Sequence, residues 1–454
     1  LAALLVLGGC GLPIARTGAG LDLPAAWQAP AAPGAAIDAD WWRGFGSAEL
    51  SGLVETAGAG SFDVAAAAAR VRQADALARV AGAALLPEVD GGASAERSKG
   101  VGYPGLTSYT VGLSASYELD IWGANRAARQ AAVDTLAATA YARDAVALTL
   151  TAGVADTYLQ TLALRERAAI ARQNLAAGER ILAFVASQYR AGATTALDLA
   201  QQRTLAAQLR QAVAQRDQQA RDSLTALATL IGRPPQGFAI DAAALGALAA
   251  PAMDAGVPSD LLARRPDVAL AERQLAAADA DVTVARAAML PAITLTASAG
   301  VGSDRLSGLF DHPIHDLAAG LAAPIFNAGR LAAGRDLALA QREELLADYR
   351  KAIVNALGDV ETALNAIDGV ARQQQAQDEA LAQAREAVRL AESRYRAGAE
   401  TLLTLLDAQR TLYDAQDQAA QLRLARLQAS VALYKALGGG WQIQHAHIVE
   451  GDKP

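Results

Sequence analysis

Apolar and polar positions repeat along this chain of 454 residues with two different periods, and the longer period predicts helices. Its clearest instance is an apolar stripe spaced by three and four residues: Leu346, Tyr349, Ile353, Leu357, Val360, Leu364 and Ile367. The pattern predicts two very long helices, about 124–190 and 330–396, each roughly 100 Å long at about 1.5 Å per residue. Because no globular core of this chain could bury such rods, we expect them to pack on neighbouring helices in coiled-coil fashion.

The shorter period, of two residues, predicts strands. Residues 109–121 and 293–301 alternate apolar with polar side chains, as a strand with one apolar and one polar face requires. Segments 87–97 and 315–326 alternate less regularly and complete a set of four predicted strands. Runs of about ten such residues have the length of strands in membrane β-barrels.

The chain is also an internal duplication. Residues 63–87 recur as 267–291, and residues 187–192 recur as 393–398. A repeat this long indicates two similar halves around a pseudo-dyad rather than a solenoid. Each half is predicted to contain a helix of about thirty residues, two strands, a very long helix and a further helix; the first of these helices spans 48–83 and 259–288, and the last 195–231 and 401–437.

Two glycines end the very long helices in this prediction. Gly192 and Gly398 lie where a helix favours a left-handed residue just beyond its last turn. Thr194, Thr195 and Thr401 follow them and supply hydroxyls that can cap the next helix. Each glycine therefore marks the tip of a helical hairpin.

The N-terminal residues predict a lipid anchor. An apolar stretch closed by Gly8, Gly9 and Cys10 is typical of the end of a secretory signal, so residues 1–9 are interpreted as residual signal peptide and Cys10 as the lipidated first residue. The remaining boundaries follow from composition and the repeat: 10–47 is a lipidated arm and equatorial segment, 48–232 the first repeat, 233–258 an equatorial linker, 259–437 the second repeat and 438–454 an equatorial tail.

Four strands cannot close a barrel on their own, because even the smallest barrels take about eight. Strands in lipid cannot leave their edges open either, so several copies must share one barrel if these strands enter a membrane. Eight strands from a dimer would leave a lumen filled by side chains, whereas twelve from a trimer would begin to hold water. The polar face of Thr, Ser and Gly with Glu118 and Asp120 favours the water-filled conduit.

Composition narrows the function classes. The 40 Lys+Arg against 47 Asp+Glu give a formal net charge of -7, which argues against nucleic-acid binding. The single cysteine, Cys10, excludes a disulfide framework and a cysteine-ligated zinc site, and four histidines leave little for metal chemistry. No spacing of Ser, His, Asp or Glu indicates catalysis, so we expect no enzyme and no cofactor beyond the covalent lipid on Cys10.

Motifs spread over nearly the whole chain resemble those of the outer-membrane efflux proteins, the TolC-like family, and most closely its OprM and NodT-type lipoprotein branch. The motifs are Leu7-Gly8-Gly9-Cys10, Trp41-Trp42-Arg43-Gly44-Phe45, Tyr117-Glu118-Leu119-Asp120-Ile121-Trp122-Gly123, and residues 261–268, 324–330, 395–398 and 405–409. The resemblance implies a mainly α fold with a small β part: a homotrimer with a shared twelve-stranded outer-membrane β-barrel above a long α-helical coiled-coil barrel in the periplasm of a Gram-negative bacterium.

The resemblance also implies partners and cargo. The chain would be the passive exit duct of a tripartite pump, working with a periplasmic adaptor protein and an inner-membrane RND transporter. The expected cargo is small toxic compounds, antibiotics among them. Matching positions place adaptor docking at Gly192 and Gly398, and strand-to-helix junctions at Gly123 and Gly329.

The same resemblance places a gate at the hairpin tips. Asp198 and Tyr395 match a latch pair, and Asp407 matches a ring that narrows the pore, with Tyr189 at the same end. The chain departs from the best-known pattern in two places: Glu400 replaces an arginine of some members, and Thr404 replaces a second aspartate. We therefore expect a single aspartate ring without their inter-subunit salt bridge. The alternative is that Asp198 and Asp407 are only solvated charges on a helix face.

Two other functions fit part of the sequence. One keeps the duct but changes the cargo to secreted polypeptide, as in type I export, or to metal ions. The other is a non-transporting, alanine-rich coiled-coil lipoprotein tethered through Cys10. That scaffold explains the rods and the lipid but leaves the four alternating segments unexplained.

Overall fold

The computed structural model describes residues 12–29, 37–99, 105–251 and 253–442. The predicted lipidation site at Cys10 and the signal segment 1–9 lie outside these residues, as does most of the predicted tail 438–454. Among the described helices, none is both long and apolar enough to cross a lipid bilayer.

The predicted mainly helical chain with one small sheet is confirmed. The helices are α1 (Ala48–Gly60), α2 (Phe62–Ala83), α3 (Ala124–Arg190), α4 (Ala196–Leu230), α5 (Leu261–Arg264), α6 (Pro266–Ala287), α7 (Arg330–Arg396) and α8 (Leu402–Ala436). The strands are β1 (Glu88–Ser98), β2 (Leu106–Leu119), β3 (Ala292–Ser303) and β4 (Pro313–Ala322). They form one antiparallel sheet in the order β1-β2-β3-β4, so β2 and β3 join the two halves of the duplication.

The predicted thirty-residue helices, 48–83 and 259–288, are wrong in one respect, because an extended residue divides each of them into two helices. Ser61 adopts an extended conformation between α1 and α2. Arg265 is extended between α5 and α6, with φ -108° and ψ 121°. The cause at Arg265 is Pro266, since a proline disfavours helical backbone at the residue before it.

The predicted strand 109–121 also ends too late. β2 stops at Leu119, and the carboxylate of Asp120 instead caps α3 by accepting from the amides of Asn125 at 3.0 Å and Arg126 at 2.9 Å. Asp120 is therefore not a polar-face strand residue as predicted, because a carboxylate at a helix start satisfies amides that have no helical partner.

The strand-to-helix junctions contain left-handed residues. Gly123 has φ +81° and Gly329 has φ +83°, a region that glycine enters without steric cost. Ala328, just before Gly329, has φ +50°. Both long helices, α3 and α7, thus begin immediately after a glycine in the left-handed conformation.

The chain divides into two compact units. One unit holds the described residues of Leu1–Leu21 with Ala68–Ala142 and Asp267–Ala352, and it contains the sheet. The other unit holds the remaining described residues, in which Trp41 is 3% exposed and stacks on Tyr434 of α8 with ring centroids 4.6 Å apart.

In the sheet-containing unit, residues 12–19 form a strap that is hydrogen-bonded along its length. The amide of Leu12 donates to the carbonyl of Trp122 at 3.1 Å, beside the β2–α3 junction. Arg16 pairs with Asp134 at 3.2 Å, and Thr17 donates its amide and hydroxyl to Asp279 at 2.8 and 2.7 Å. Asp279 is 3% exposed, so the strap supplies the polar partners that its buried carboxylate needs.

Replacing Thr17 with valine should loosen this strap, because the buried Asp279 carboxylate loses one charge-assisted hydrogen bond, worth about 1–3 kcal/mol. Arg16 is the only Lys or Arg in residues 12–42, so trypsin cleavage after Arg16 reports strap release. We expect cleavage to accelerate several-fold. Thr283→Val is the matched control, since that hydroxyl donates to a carbonyl of its own helix. Equal cleavage rates in parent and Thr17→Val would contradict the expectation.

A half-buried carboxylate, that of Asp156, makes stability depend on pH. Burial raises the pKa of Asp156 to about 6, against a lowering by Lys435, and its Oδ1 atom has no hydrogen-bond partner in the described part of the chain. Because the folded-state pKa lies above the unfolded value of 3.8, folding favours the protonated form. The free energy of unfolding should therefore fall as pH rises from about 4 to about 6 and then level off.

Asp156→Asn should remove the loss of stability that the ionised Asp156 causes above pH 6. We expect the variant to be more stable than the parent by about 1–2 kcal/mol above pH 7, allowing for solvent screening, and equal to it near pH 4. Thermal unfolding midpoints at the two pH values measure the difference. A constant difference across the pH range would show that Asp156 does not titrate as stated.

Candidate functional site: the two hairpin tips

At the two hairpin tips, residues 188–199 and 394–405, the long helices α3 and α7 end with the same pattern of hydrogen bonds. The amides of Gly192 and Ala193 donate to the carbonyls of Tyr189 and Gln188 at 3.0 and 2.9 Å. The second tip has the same two bonds: the amides of Gly398 and Ala399 donate to the carbonyls of Tyr395 and Arg394. Gly192 and Gly398 have φ +73° and +70°. This is the Schellman arrangement, in which the glycine occupies the left-handed position just past the helix.

Each following helix begins at a threonine cap. The hydroxyl of Thr195 accepts from the amide of Asp198 at 3.1 Å, and that of Thr401 accepts from the amide of Thr404 at 3.3 Å. A cap of this kind contributes about 1 kcal/mol by satisfying an amide that has no partner within the helix. The predicted caps at Thr195 and Thr401 match this geometry, whereas the Thr194 hydroxyl donates to the Asp198 carboxylate instead of capping an amide.

The two tips carry their carboxylate at different sequence positions. In the first tip, Asp198 accepts from the hydroxyls of Thr194 and Thr195 at 2.8 and 2.7 Å. In the second, Glu400 accepts from the hydroxyl of Thr404 at 3.1 Å. The duplication aligns 194 with 400 and 198 with 404, so the threonine and the carboxylate have exchanged places across an equivalent bond.

Both tip carboxylates are stabilised in the ionised form. Hydrogen bonds from Thr195 and Thr194 hold the pKa of Asp198 below its usual value. The amide of Thr401, the Thr404 hydroxyl and the charge of Arg394 lower the pKa of Glu400. Arg394 and Glu400 form an ion pair within one chain, with Nε and Oε2 3.6 Å apart.

Tyr395 joins the two hairpins, but through a partner that the sequence did not indicate. Its hydroxyl donates to Oε1 of Gln188 on α3 at 3.2 Å, and among the described residues Asp198 makes no hydrogen bond with it. Burial, followed by the nearby charge of Asp198, raises the pKa of Tyr395. Asp198 therefore acts on Tyr395 only through its charge, while the Tyr395 hydroxyl contacts Gln188 of α3 and Thr194 of the first tip.

An apolar cluster beneath these bonds draws on all four helices of the two hairpins. Its buried members are Ile181, Val185, Leu199, Leu205, Leu209, Ala391, Tyr395, Leu402, Leu405 and Leu406. The ring of Tyr395 meets that of Phe184 edge-on, with centroids 6.0 Å apart. Because the cluster is shared, displacing one hairpin tip from the other would expose apolar surface.

Further from the tips, a charged clamp also holds α3 to α8. Arg167 binds Asp417 through two parallel bonds of 2.7 Å, and Arg216 of α4 approaches the same carboxylate at 3.3 Å. Sequence reasoning missed this clamp and the role of Gln188, because no local motif links residues so far apart in the chain. The Thr195 to Asp198 spacing, by contrast, is a readable capping-box signal.

Asp407 and Tyr189 remain exposed near the tips. Asp407 lies on α8 next to the buried Leu406, and within the described ranges its carboxylate has neither a hydrogen bond nor an ion pair. The side chain of Tyr189 is 44% exposed. The described residues therefore form two separate polar groups, Asp198 with the threonines of the first tip and Glu400 with Thr404 and Arg394 in the second, while Asp407 lies exposed without a side-chain partner.

The family model described as outer membrane efflux protein matches residues 53–233 and 257–439. The pyoverdine export outer membrane protein OpmQ of Pseudomonas aeruginosa is 50% identical over 466 residues, covering 100% of this chain and 98% of that protein. The solvent efflux pump outer membrane protein SrpC of Pseudomonas putida is 34% identical, covering 97% of each chain.

A solved structure of the outer-membrane channel OprN shares the fold. It superposes with a TM-score of 0.88 at 28% identity, covering 95% of this chain and 100% of that one. The resemblance drawn from the sequence motifs is thereby confirmed.

Asp198→Asn tests whether the first tip depends on its carboxylate. The variant loses a charged acceptor, so amide hydrogen exchange at residues 195–199 should accelerate several-fold near pH 7. Since the folded-state pKa lies below the unfolded value, this protection is present at neutral pH and is lost as pH falls through the folded pKa.

The matched control for this test is Asp407→Asn, because the Asp407 carboxylate of the parent has no partner in the described residues. Its exchange at 195–199 should equal that of the parent. Unchanged exchange in Asp198→Asn would contradict a stabilising role for the carboxylate.

Proposed function

The chain belongs to the outer membrane efflux protein family, and from this we propose that it is the outer-membrane exit duct of a tripartite efflux pump. Three copies would share a twelve-stranded barrel continued by a helical conduit. The duct itself would be passive, with an inner-membrane RND-type transporter supplying the energy and a periplasmic adaptor coupling the two.

The observation that carries this proposal is the sheet with two open edges. In the part of the chain that the structure describes, β1 and β4 each pair with one strand only, and four strands are too few to close a barrel. In a bilayer such edges must be paired, since lipid offers no hydrogen-bonding partner to the backbone. Copies of the same chain supply the missing partners most simply, with β4 of one copy beside β1 of the next.

We further propose that the hairpin tips carry the gate and the adaptor contact. Around a threefold axis, the exposed Asp407 of each copy would contribute one carboxylate to a ring that attracts cations. Tyr395, Gln188 and Asp198 would hold the two hairpins of each copy together in the closed state. The turns at Gly192 and Gly398 would meet the adaptor.

The lipid on Cys10 would be a second membrane anchor beside the barrel. The strap would fasten the chain that follows it, since Leu12 is bonded beside the β2–α3 junction. The single cysteine of the chain is then consumed by lipid.

A relative named for pyoverdine export is 50% identical to this chain, and this favours pyoverdine or a similar compound as the cargo. Solvents or drugs are the second candidate, supported by the more distant relative named for solvent efflux. Deleting the gene in its own host and measuring both secreted pyoverdine and drug susceptibility would separate the two. Loss of secretion with unchanged susceptibility is the expected result.

Asp407→Ala tests the gate in planar bilayers. Removing the proposed ring of carboxylates should weaken block by a trivalent cation added at the tip side roughly ten-fold or more, while the channel still conducts. Asp241→Ala is the matched control, since it removes an exposed carboxylate in the linker between α4 and α5. Parent-like block in Asp407→Ala would exclude Asp407 from the aperture.

A further inference from the structure

The two faces of the sheet differ in chemistry along all four strands. The register aligns odd-numbered residues on one face, which is mainly apolar: Val89, Ala93, Val111, Leu113, Tyr117, Ile293, Leu295, Val301, Leu317 and Leu321. The even-numbered face carries mainly Ser, Thr and Gly, together with five carboxylates: Glu88, Asp90, Glu96, Glu118 and Asp316. In a membrane barrel the apolar face meets lipid and the other lines the lumen.

The acidic face has no counter-charge of its own. The described strands β1–β4 contain only one arginine, Arg97, and one histidine, His315, and they contain no lysine. Arg97 pairs with Thr107 and His315 with Ala299, which places both on the odd-numbered face. The five carboxylates therefore face the proposed lumen without any basic side chain from these strands.

Two of the carboxylates terminate a single transverse row. Asp90 pairs with Ser114, Ser114 with Ser298, and Ser298 with Asp316, so the row crosses all four strands. The Ser298 hydroxyl lies 3.3 Å from the Asp316 carboxylate. A cavity of about 300 Å³ is lined by all four residues of this row. The even-numbered face is thus concave, and both carboxylates open into the same water-accessible hollow.

A neighbouring row of glycines leaves that hollow open. Gly92 pairs with Gly112, and Gly112 with Gly300, two residues along from the acidic row. A Cβ atom on Gly112 would come within 2.9 Å of the Ala299 carbonyl oxygen, and one on Gly300 within 2.6 Å of the Val111 oxygen. Gly112 and Gly300 therefore have no room for a side chain, so nothing projects from the two central positions of the row, which ends at Ile314 of β4.

We propose that this face of the strands sets the charge selectivity of the conduit, with Asp90 and Asp316 as its main determinants. The inference rests on the proposed function, because the face lines a lumen only if copies share a barrel. Carboxylates lining a narrow water-filled pore with low-dielectric walls raise the local concentration of cations and exclude anions. The strands would thus act as a second cation-selective element, separate from the Asp407 ring.

The test is the reversal potential of the reconstituted channel in a KCl gradient. Asp90→Asn combined with Asp316→Asn should lower the cation-over-anion permeability ratio at least two-fold. The effect should be large near 0.1 M salt, where charges act over about 10 Å, and small near 1 M, where they act over about 3 Å. Asp22→Asn with Asp241→Asn is the matched control, because it removes two exposed carboxylates outside the strands.

Two further measurements show whether the change in selectivity comes from these two charges. The charge-preserving pair Asp90→Glu and Asp316→Glu should keep the parent ratio, which excludes a general effect of altering the strands. The Asp90→Asn and Asp316→Asn pair should leave block by a trivalent cation from the tip side unchanged, since that block is assigned to Asp407. A parent-like permeability ratio in the Asn pair, with normal conductance, would overturn the inference, whereas a parent protein without current would overturn the proposed function itself.

Discussion

Hydrogen bonding at the two sheet edges is the constraint on which the rest of the structure depends. Among the described residues, β1 and β4 each leave one row of backbone amides and carbonyls without a partner strand. In water such edges favour aggregation, and in lipid each unpaired group costs several kcal/mol. The sheet is therefore incomplete in lipid, and we propose that repetition of the chain around an axis completes it. The alternation of apolar and polar positions gives the sheet one apolar face and one polar face.

Duplication gives the subunit two versions of the same hairpin, and the tips show how they diverged. Both keep the glycine turn and the threonine cap, which are set by backbone geometry. The carboxylate lies at position 198 in the first tip and at position 400 in the second, and in both it accepts a hydrogen bond from a threonine hydroxyl. In the second tip it also forms an ion pair with Arg394. The two hairpins of one chain are thus similar in fold and different in electrostatics.

Local periodicity was sufficient to predict the long helices, the strands and the turn glycines, because each is decided by neighbours within a few residues. It failed where one residue overrides the period, as Pro266 does by breaking the helix at Arg265 and Asp120 does by capping α3. It could not identify partners remote in sequence. Gln188 as the acceptor for Tyr395, Asp417 as the acceptor for Arg167, and Asp279 as the acceptor for Thr17 depend on packing that no single stretch encodes.

The account is tested most directly by counting copies in the assembled protein. Native mass spectrometry of the protein extracted with its membrane lipids reports the number of chains that remain together without any substitution. We predict three chains, with lipid retained on each Cys10. A single chain that remains folded in lipid would contradict this prediction, because the edges of β1 and β4 would then have to be satisfied without a second copy.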